Sequence, residues 1–174
     1  MNMIIRFAIL LNLLRQQQAK DDAINLERLK APFSRHYRVL PHDMGFRNHL
    51  PNYRYLSFIE LNVTGWLYQI LKQQGKGGLS LNWIISMQEM VYLKEVKFLD
   101  KLTVTSTLEG WDNKYLYFQH HFYVKNKLMA IGLTKFLLVN KKGKQSPEVI
   151  GLQGKQLTEV ITTWNANQTA IKNQ

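Results

Sequence analysis

Apolar residues at helical spacing dominate residues 53–72, in the second quarter of the chain. They recur every three or four positions and predict one helix over residues 53–72, with Asn52 as its N-cap. Gly75, Gly77 and Gly78 follow and end the helix. The apolar stripe consists of Leu56, Ile59, Val63, Leu67, Ile70 and Leu71, and it is widened by Tyr55, Phe58 and Trp66. A stripe of this width predicts a largely buried helix.

The second half of the chain alternates between apolar and polar residues with the period of two that is typical of strands. In residues 101–111, every second side chain from Leu102 onwards is apolar except Ser106. We predict five strands, over residues 35–40, 81–93, 101–111, 115–124 and 128–139. The Asp-Asn and Lys-Asn pairs at 112–113 and 125–126 form tight turns, so the strands that they join are antiparallel. The predicted fold class is α+β, with an antiparallel sheet around one long helix.

Helical patterns flank this core at both ends. We predict an apolar helix over residues 3–14, a short helix over 24–29 and a terminal helix over 154–165. With 174 residues and a 45% hydrophobic composition, the chain suits one domain with extensions. We therefore divide it into an N-terminal helix and connector (1–30), a core domain (31–145) and a C-terminal helical extension (146–174).

The chain has a formal net charge of +11, which favours anionic partners. The basic residues are spread along the sequence without a nucleic-acid-binding motif, so we expect no nucleic acid partner. A substrate with a phosphorylated tail, such as coenzyme A, would also be attracted. The absence of cysteine excludes disulfides, thiolate metal sites and a cysteine nucleophile. His120 and His121 lie on opposite faces of a strand and cannot bind one ion, so we expect no metal.

The apolar segment 3–14 is too short to span a bilayer and is interrupted by Arg6 and Asn12. It lacks a convincing signal-peptide cleavage site, so we expect a retained helix. Two interpretations stay open. The helix packs on the domain or a partner subunit, or it lies in a membrane interface with the help of Arg6, Arg15 and Lys20. The expected location is cytoplasmic, and under the second interpretation peripheral to the inner membrane.

The 41–55 segment is polar and leads directly into the long helix. The first N–H groups of a helix have no intrahelical acceptor and lie at the positive end of its dipole, so this junction suits an acyl carbonyl. Asp43, His49 and Asn52 are candidate catalytic residues here. Each also has a structural interpretation: Asp43 braces the loop, His49 makes an ordinary hydrogen bond, and Asn52 caps the helix.

Glu60 lies one turn after Leu56, within the apolar stripe of the long helix. A carboxylate in such a position is costly unless it is paired or protonated. Glu60 is therefore either a structural group bound to a buried polar partner or a general base whose pKa is raised by burial. Chemistry alone favours the structural role.

Several of these segments resemble one family, the 4-hydroxybenzoyl-CoA thioesterase superfamily of hotdog-fold proteins. One of its branches has a hydrophobic N-terminal helix and the pattern Arg-Val-x-Pro-x-Asp-Leu-Asp, three residues, His-Met-Asn-Asn. This chain is similar, with Arg-Val-Leu-Pro-His-Asp-Met-Gly at 38–45 and His-Leu-Pro-Asn at 49–52. Glu60 fits the acidic position of the family's central helix, and Gly-Trp-Asp-Asn-Lys-Tyr at 110–115 fits its hairpin. The similarity extends from the N-terminal helix to about residue 149.

The resemblance implies a sheet of about five strands around a central helix, and a homodimer or homotetramer with sites at the subunit interface. The implied substrate is an acyl-CoA or acyl-carrier-protein thioester, with no cofactor beyond the coenzyme A of the substrate. The usual chemistry is thioester hydrolysis, in which a loop Asp or helix Glu acts as base or nucleophile. We expect the free N–H groups of Tyr53 and Arg54 to bind the substrate carbonyl, beside Gly45.

Two positions depart from the family pattern. Gly45 stands where the family has the Asp that is most often given the catalytic role, and it supplies no base. Pro51 replaces the first Asn of the Asn-Asn pair and supplies no N–H.

Three hypotheses follow. The first is an acyl-thioester hydrolase whose water is activated by Glu60 or Asp43 and oriented by His49 and Asn52. The second is a catalytically impaired hotdog module that binds acyl chains or a membrane-associated partner. The third is a hotdog dehydratase in which His49 works with Glu60.

Overall fold

The computed structural model describes residues 2–16, 26–74 and 81–173. Helices dominate the first half, with β1 between them, and strands dominate the second half as predicted. In chain order the elements are α1 (Asn2–Gln16), α2 (Leu26–Lys30), β1 (Phe33–Arg38), α3 (Pro41–Met44), α4 (Asn52–Gln73), β2 (Asn82–Tyr92), β3 (Lys101–Trp111), β4 (Tyr115–Val124), β5 (Lys127–Asn140), β6 (Gly143–Gln145), a 3-10 helix (Pro147–Ile150) and α5 (Glu159–Lys172).

Most predicted boundaries are close to the observed ones, and those of β3 and β4 are confirmed to the residue. β1 ends before Val39, because the N–H of Val39 donates to the carbonyl of Asp100 in a loop instead of extending the strand. The prediction placed α5 about five residues too early. The side chain of Thr158 caps this helix, while Gln156 pairs with the end of β3 at Trp111. The three glycines predicted to end the long helix lie outside the described residues.

The strands form one antiparallel sheet in the order β1-β3-β4-β5-β2, with the short strand β6 paired to β5. α4 packs against one face of the sheet, and α5 packs against the other face over Tyr117. This arrangement confirms the predicted α+β class and places α4 at the centre. β1 and β2 lie at opposite ends of the strand order, and this leaves each with one edge not paired to another described strand.

The core is a single large apolar cluster between α4 and the facing side chains of the sheet. Aromatic rings fill its centre, and Trp66 meets Phe118 edge-on with 4.9 Å between ring centroids. Burying each side chain of this size contributes about 1.5–3 kcal/mol. The predicted apolar stripe of α4 is confirmed, except that Leu56 is only half-buried.

Two predictions about α4 are wrong. Glu60 is not part of the buried stripe, because it lies on the outer face of the helix together with Tyr53 and is exposed. Asn52 is not the N-cap, because the helix already begins at Asn52 and Pro51 holds the cap position without a side-chain hydrogen bond.

The polar residue that α4 does bury is Asn62, which is completely inaccessible. Its amide nitrogen donates to the carbonyl of Val104 at 2.9 Å and to Ser106 Oγ at 3.1 Å. Ser106 Oγ lies 2.8 Å from His120 Nδ1, and His120 Nε2 lies 2.7 Å from Thr134 Oγ1. This chain of hydrogen bonds links the helix to three neighbouring strands, so the buried polar groups satisfy each other.

α1 packs on the domain, which confirms the first of its two interpretations. Leu10 is buried against Leu61 of α4, and the guanidinium of Arg6 lies 5.0 Å from the ring centroid of Phe58. Several apolar side chains on the outer side of α1, including Ile4 and Ile5, stay exposed. Among the described residues, no helix has both the length and the hydrophobicity needed to cross a membrane. The three-part division of the chain stays a prediction.

Candidate active site

The 41–55 segment folds into α3, a loop and the first turn of α4, and it leans on the loop that follows β2. The N–H of Leu50 donates to the carbonyl of Val96 at 2.8 Å, and His49 forms a bridge with Lys97. These backbone bonds between two irregular segments fix the start of α4. They place His49 and Asn52 beside the end of the edge strand β2.

Asp43 is completely buried and is held as a brace. One carboxylate oxygen accepts a hydrogen bond from Arg6 of α1 at 2.6 Å and another from the N–H of Leu40 at 2.9 Å. The other oxygen lies 3.6 Å from Nε2 of His42 and 4.0 Å from Nε of Arg54. Asp43 therefore makes the bracing contacts that its structural interpretation expects, and its catalytic role stays a prediction. A charged group that is buried in this way is stable because its counter-charge is close.

Gly45 has a backbone conformation that L-amino acids rarely adopt, with φ +60° and ψ −126°. A Cβ atom built at Gly45 would lie 3.5 Å from the hydroxyl of Tyr53, which is an ordinary contact distance. Space is therefore available, and it is the backbone that requires glycine.

The start of α4 offers two backbone donors. Arg54 is not one of them, because its N–H donates to the carbonyl of Pro51 at 2.9 Å, which corrects the prediction. The amides of Asn52 and Tyr53 have no acceptor within the part of the chain that the structure describes. Both side chains are exposed, so a ligand has access to this helix end. The helix dipole adds a partial positive charge there.

Tyr92 at the end of β2 closes one side of the helix start, and sequence analysis missed it. Its ring meets Tyr55 edge-on at 5.1 Å, and its hydroxyl lies 3.5 Å from the carbonyl of Asn52. Burial raises the pKa of Tyr55 to about 12, with smaller contributions from Tyr92 and Glu95, and burial also raises the pKa of Tyr92. Both phenols are therefore neutral near pH 7 and act only as hydrogen-bonding groups.

Glu60 projects from the outer face of α4, two turns beyond Asn52. No hydrogen bond or ion pair joins its carboxylate to another described residue. Partial burial against the helix nevertheless raises the pKa of Glu60 above its ordinary value. A carboxylate without a partner and with a raised pKa is a stronger proton acceptor than an ordinary surface Glu.

His49 has a carboxylate neighbour that the sequence did not reveal. Its Nδ1 lies 3.8 Å from Oε1 of the exposed Glu95. The two residues are far apart in sequence and meet only because the two loops pack together, so no local pattern could indicate the pair. At this distance the two side chains are near neighbours but do not form a hydrogen bond.

The structure gathers most of the predicted site residues at one end of α4 but does not connect them all. Gly45 and Tyr53 lie close together, and Arg54 donates to the carbonyl of His42 at 2.9 Å. Among the described residues, no hydrogen bond or ion pair joins any two of Asp43, His49, Asn52 and Glu60. In the same ranges, no group of three His, Asp or Glu side chains is arranged to hold a metal ion.

Comparisons with solved structures identify the same architecture. A probable thioesterase from Bartonella henselae superposes with a TM-score of 0.57 at 16% identity, over 67% of this chain and 98% of its own. A hypothetical protein from Staphylococcus aureus in complex with CoA gives 0.59 at 19% identity, over 74% and 82%. A gentisyl-coenzyme A thioesterase gives 0.59 at 15% identity, over 67% and 95%. At these identities the likeness establishes the fold.

A search of curated proteins gave no significant match. The sequence profile of the thioesterase-like superfamily, however, matches residues 39–156, which is more than half of the 174 residues. That range begins just before α3 and includes the 41–55 segment, α4 and all of strands β2 to β6. The chain therefore has the hotdog fold and belongs to the thioesterase-like superfamily.

Proposed function

We propose that this protein hydrolyses acyl-CoA thioesters at the start of α4. The observation that carries the proposal is the combination of two backbone amides without acceptors and, two turns along the same helix, the exposed carboxylate of Glu60 with its raised pKa. The amides suit the oxygen of a polarised carbonyl, and the carboxylate suits an attacking water. Superfamily membership supports the reaction class.

In the proposed reaction the thioester oxygen accepts hydrogen bonds from the N–H groups of Asn52 and Tyr53. Two turns of α4, about 11 Å, separate Asn52 from Glu60 within one chain, so we assign the base to Glu60 of a second copy, because the sites of this family lie at the subunit interface. That Glu60 removes a proton from water, and the water oxygen forms a bond with the carbonyl carbon. The C–S bond of the tetrahedral intermediate then breaks, and the proton held by Glu60 passes to the leaving thiolate. The products are a carboxylic acid and free coenzyme A.

The other predicted residues take supporting roles in this proposal. His49, with Glu95 as its near neighbour, positions the attacking water together with Asn52. Asp43 braces the loop through Arg6 and is not the base, because its carboxylate is buried and already paired. The positive charge of the chain attracts the phosphates of coenzyme A. Two structural neighbours, one in complex with CoA and one a CoA thioesterase, support this substrate class.

The test is hydrolysis of a panel of acyl-CoA thioesters from short to long chains by the purified protein, followed through release of the free thiol. We expect turnover of at least one chain-length class and lower activity as the pH falls through the raised pKa of Glu60. The same acyl groups attached to an acyl-carrier protein form a second panel, and the faster-hydrolysed panel identifies the carrier. An absence of turnover across both panels would refute the proposed activity.

A second candidate function is acyl binding without hydrolysis, and the conformation of Gly45 favours it, because its positive φ is unfavourable for an Asp although the space around it is sufficient. A non-hydrolysable acyl-CoA thioether should then bind while every thioester stays intact. The dehydratase hypothesis is less well supported, since the carboxylate neighbour of His49 is Glu95 and not Glu60. Hydration of an enoyl-CoA, followed by absorbance, tests it.

We also propose a homodimer formed through β2. This edge strand has 11 residues, and Ile84, Val91 and Tyr92 are exposed on it. A second copy that pairs with this edge would continue the sheet and cover these side chains. Tyr92 would then bring the helix start to the interface. Replacing Ile84 by Lys should convert the dimer to a monomer in light scattering, and an unchanged mass would refute this interface.

Contact with a membrane stays a proposal for the outer side of α1, where Ile4 and Ile5 are exposed and the net charge favours anionic lipid. Flotation with vesicles of anionic and of neutral phospholipid tests it. Binding to anionic vesicles that is lost in an Ile4→Ser, Ile5→Ser variant would support the contact, and an absence of co-flotation would refute it.

A further inference from the structure

A groove of about 750 Å³ lies between α1, the edge strand β1 and α4, away from the proposed hydrolytic site. Every residue of β1 lines it, and none of His49, Asn52, Tyr53 and Glu60 does. Its walls are mainly apolar. They include Ile9, Leu10 and Leu13 of α1, Leu40, Phe33 of β1 and Leu61 of α4. Grooves of this size and composition are typical of sites for small apolar ligands.

Arg35 is the unusual residue of this groove, because it faces inward from β1 and has no counter-charge. Its Nε is buried without a hydrogen-bond partner, and no carboxylate in the described ranges forms an ion pair with it. Burial lowers the pKa of Arg35, although a guanidinium keeps its charge at any ordinary pH. The residue as a whole is half-buried, and its guanidinium carbon lies 5.0 Å from the ring centroid of Phe33, so the cation has an aromatic neighbour while Nε has no acceptor. A buried donor without an acceptor is costly, so its retention calls for a ligand or another compensation.

The helix makes room for this guanidinium. A Cβ atom built at Gly65 in the middle of α4 would lie only 2.9 Å from Nη2 of Arg35 and 3.1 Å from its Nε. Glycine inside a helix is less favourable than alanine, because it loses more conformational freedom on folding. The chain therefore accepts a weaker helix at the one position where Arg35 lies across it. Arg6 also lines the groove, and its Nη1 is, like Nε of Arg35, buried without a hydrogen-bond partner.

We propose that the groove binds an amphiphilic carboxylate, namely a linear fatty acid whose carboxylate pairs with Arg35 and whose alkyl chain lies along α1. The forked guanidinium matches a carboxylate in two-point geometry. The apolar walls match an alkyl chain, and the positive charge of the protein attracts the anion. This site is separate from the proposed hydrolytic site, so each can be tested without the other.

The experiment is titration of the full-length protein with hexadecanoate and dodecanoate below their micellar concentrations, by calorimetry. We expect saturable binding of one fatty acid per chain. Hexadecan-1-ol, which has the chain but not the charge, should bind at least tenfold more weakly. Equal affinity for the alcohol and the acid, or binding that begins only where micelles form, would overturn the proposal.

Variants separate the two halves of the ligand. Arg35→Leu should raise the dissociation constant at least tenfold, and Arg35→Lys should raise it less, because an ammonium keeps the charge without the fork. Lys142→Leu, in an exposed turn, is the matched control and should bind as the natural chain does. If Arg35→Leu does not fold, Leu13→Glu places a carboxylate on the half-exposed wall and should also weaken binding. Unchanged affinity in the folded variants would overturn the proposal.

Discussion

Asp43 and Glu60 are two carboxylates of the candidate active site, and their surroundings are opposite. Asp43 is completely buried, but it receives hydrogen bonds from Arg6 and a backbone amide. Glu60 is exposed and has no partner among the described residues, yet partial burial raises its pKa. The apolar neighbours of Glu60 in the sequence predict that Glu60 is buried. Burial alone therefore does not tell which carboxylate is available for chemistry.

The difference shows how the surroundings of a carboxylate decide whether it is held in place or can react with a ligand. The protein pairs Asp43 Oδ2 with Arg6, a cation from a distant helix, and buries Oδ1 without a hydrogen-bond partner, so neither oxygen is open to solvent. Removing the cation would leave an uncompensated buried charge. The protein leaves Glu60 without a cation, so the carboxylate can exchange a proton with a ligand. The variants below test this contrast.

The largest effect is expected for Arg6→Leu, which leaves Asp43 buried without its closest counter-charge. We expect a loss of about 3–5 kcal/mol in the free energy of unfolding, measured by urea denaturation. Arg6→Leu combined with Asp43→Asn should recover part of the loss, because an amide needs no counter-charge. Arg47→Leu, at an exposed position, is the control. A loss below about 1 kcal/mol would mean that His42 and Arg54 stabilise Asp43 without Arg6.

His120 extends the comparison to a buried group held by neutral partners. Burial lowers its pKa to about 3, well below that of an unfolded His. Between that value and about 6.5, the unfolded chain binds a proton that the folded chain does not, so stability falls as the pH falls through this window. The slope is about 1.4 kcal/mol per pH unit, or about 3 kcal/mol between pH 6.5 and 4.

The measurement for His120 is the free energy of unfolding at several pH values. His120→Gln, which removes the titrating group, should flatten the slope in this window, while His121→Gln on the half-exposed opposite face should leave it unchanged. Equal slopes in the natural chain and His120→Gln would contradict the assignment.

Glu60→Gln tests the other side of the contrast. If Glu60 is the general base, kcat should fall about 100-fold or more, because a neutral amide accepts no proton. Stability should change by less than about 0.5 kcal/mol, since the side chain is exposed. Glu148→Gln, at another exposed position, is the control. Unchanged turnover in Glu60→Gln would remove this residue from the mechanism.

Gly45→Ala is expected to have the smallest effect, a loss of about 2 kcal/mol in the free energy of unfolding. The backbone at Gly45 is unfavourable for any L-residue, while the space around its Cβ is sufficient. Ser57→Ala on α4 is the control. For the same reason, a Gly45→Asp variant would test the shape of the loop as much as the return of a carboxylate. No loss of stability in Gly45→Ala would show that the loop adapts easily.

The fold could be predicted because its signals are local. Alternation in β3 and β4 and the turn residues between them fix the hairpin, and the predicted turn is confirmed, with Asp112 Oδ1 accepting from the N–H groups of Lys114 and Tyr115 at 2.8 Å. The placement of Ser106 and His120 on the apolar face of their strands was also visible. Their hydrogen bonds with Asn62 were not, because these depend on the register between strands.

The site was less predictable because its contacts join distant segments. Arg6 meets Asp43 across 37 residues, and His49 meets Glu95 through the packing of two loops. The spacing of Glu60 could not predict its outward position, because the apolar stripe of α4 is so wide that the same spacing also fits a residue inside the stripe. The structure decides this through the sheet, which covers the side of α4 that carries Asn62 and not the side that carries Glu60.

The bond between Arg6 and Asp43 also bears on the order in which the molecule folds. Hairpins β3–β4 and β4–β5 are local and can form early, whereas contacts between distant segments form later. The loop around Asp43 cannot reach its final, buried arrangement before α1 brings its cation. We therefore expect the core between α4 and the sheet to form while the 41–45 region, which adds Met44 to that core, is still rearranging, so that the last step of folding is the arrival of the first helix.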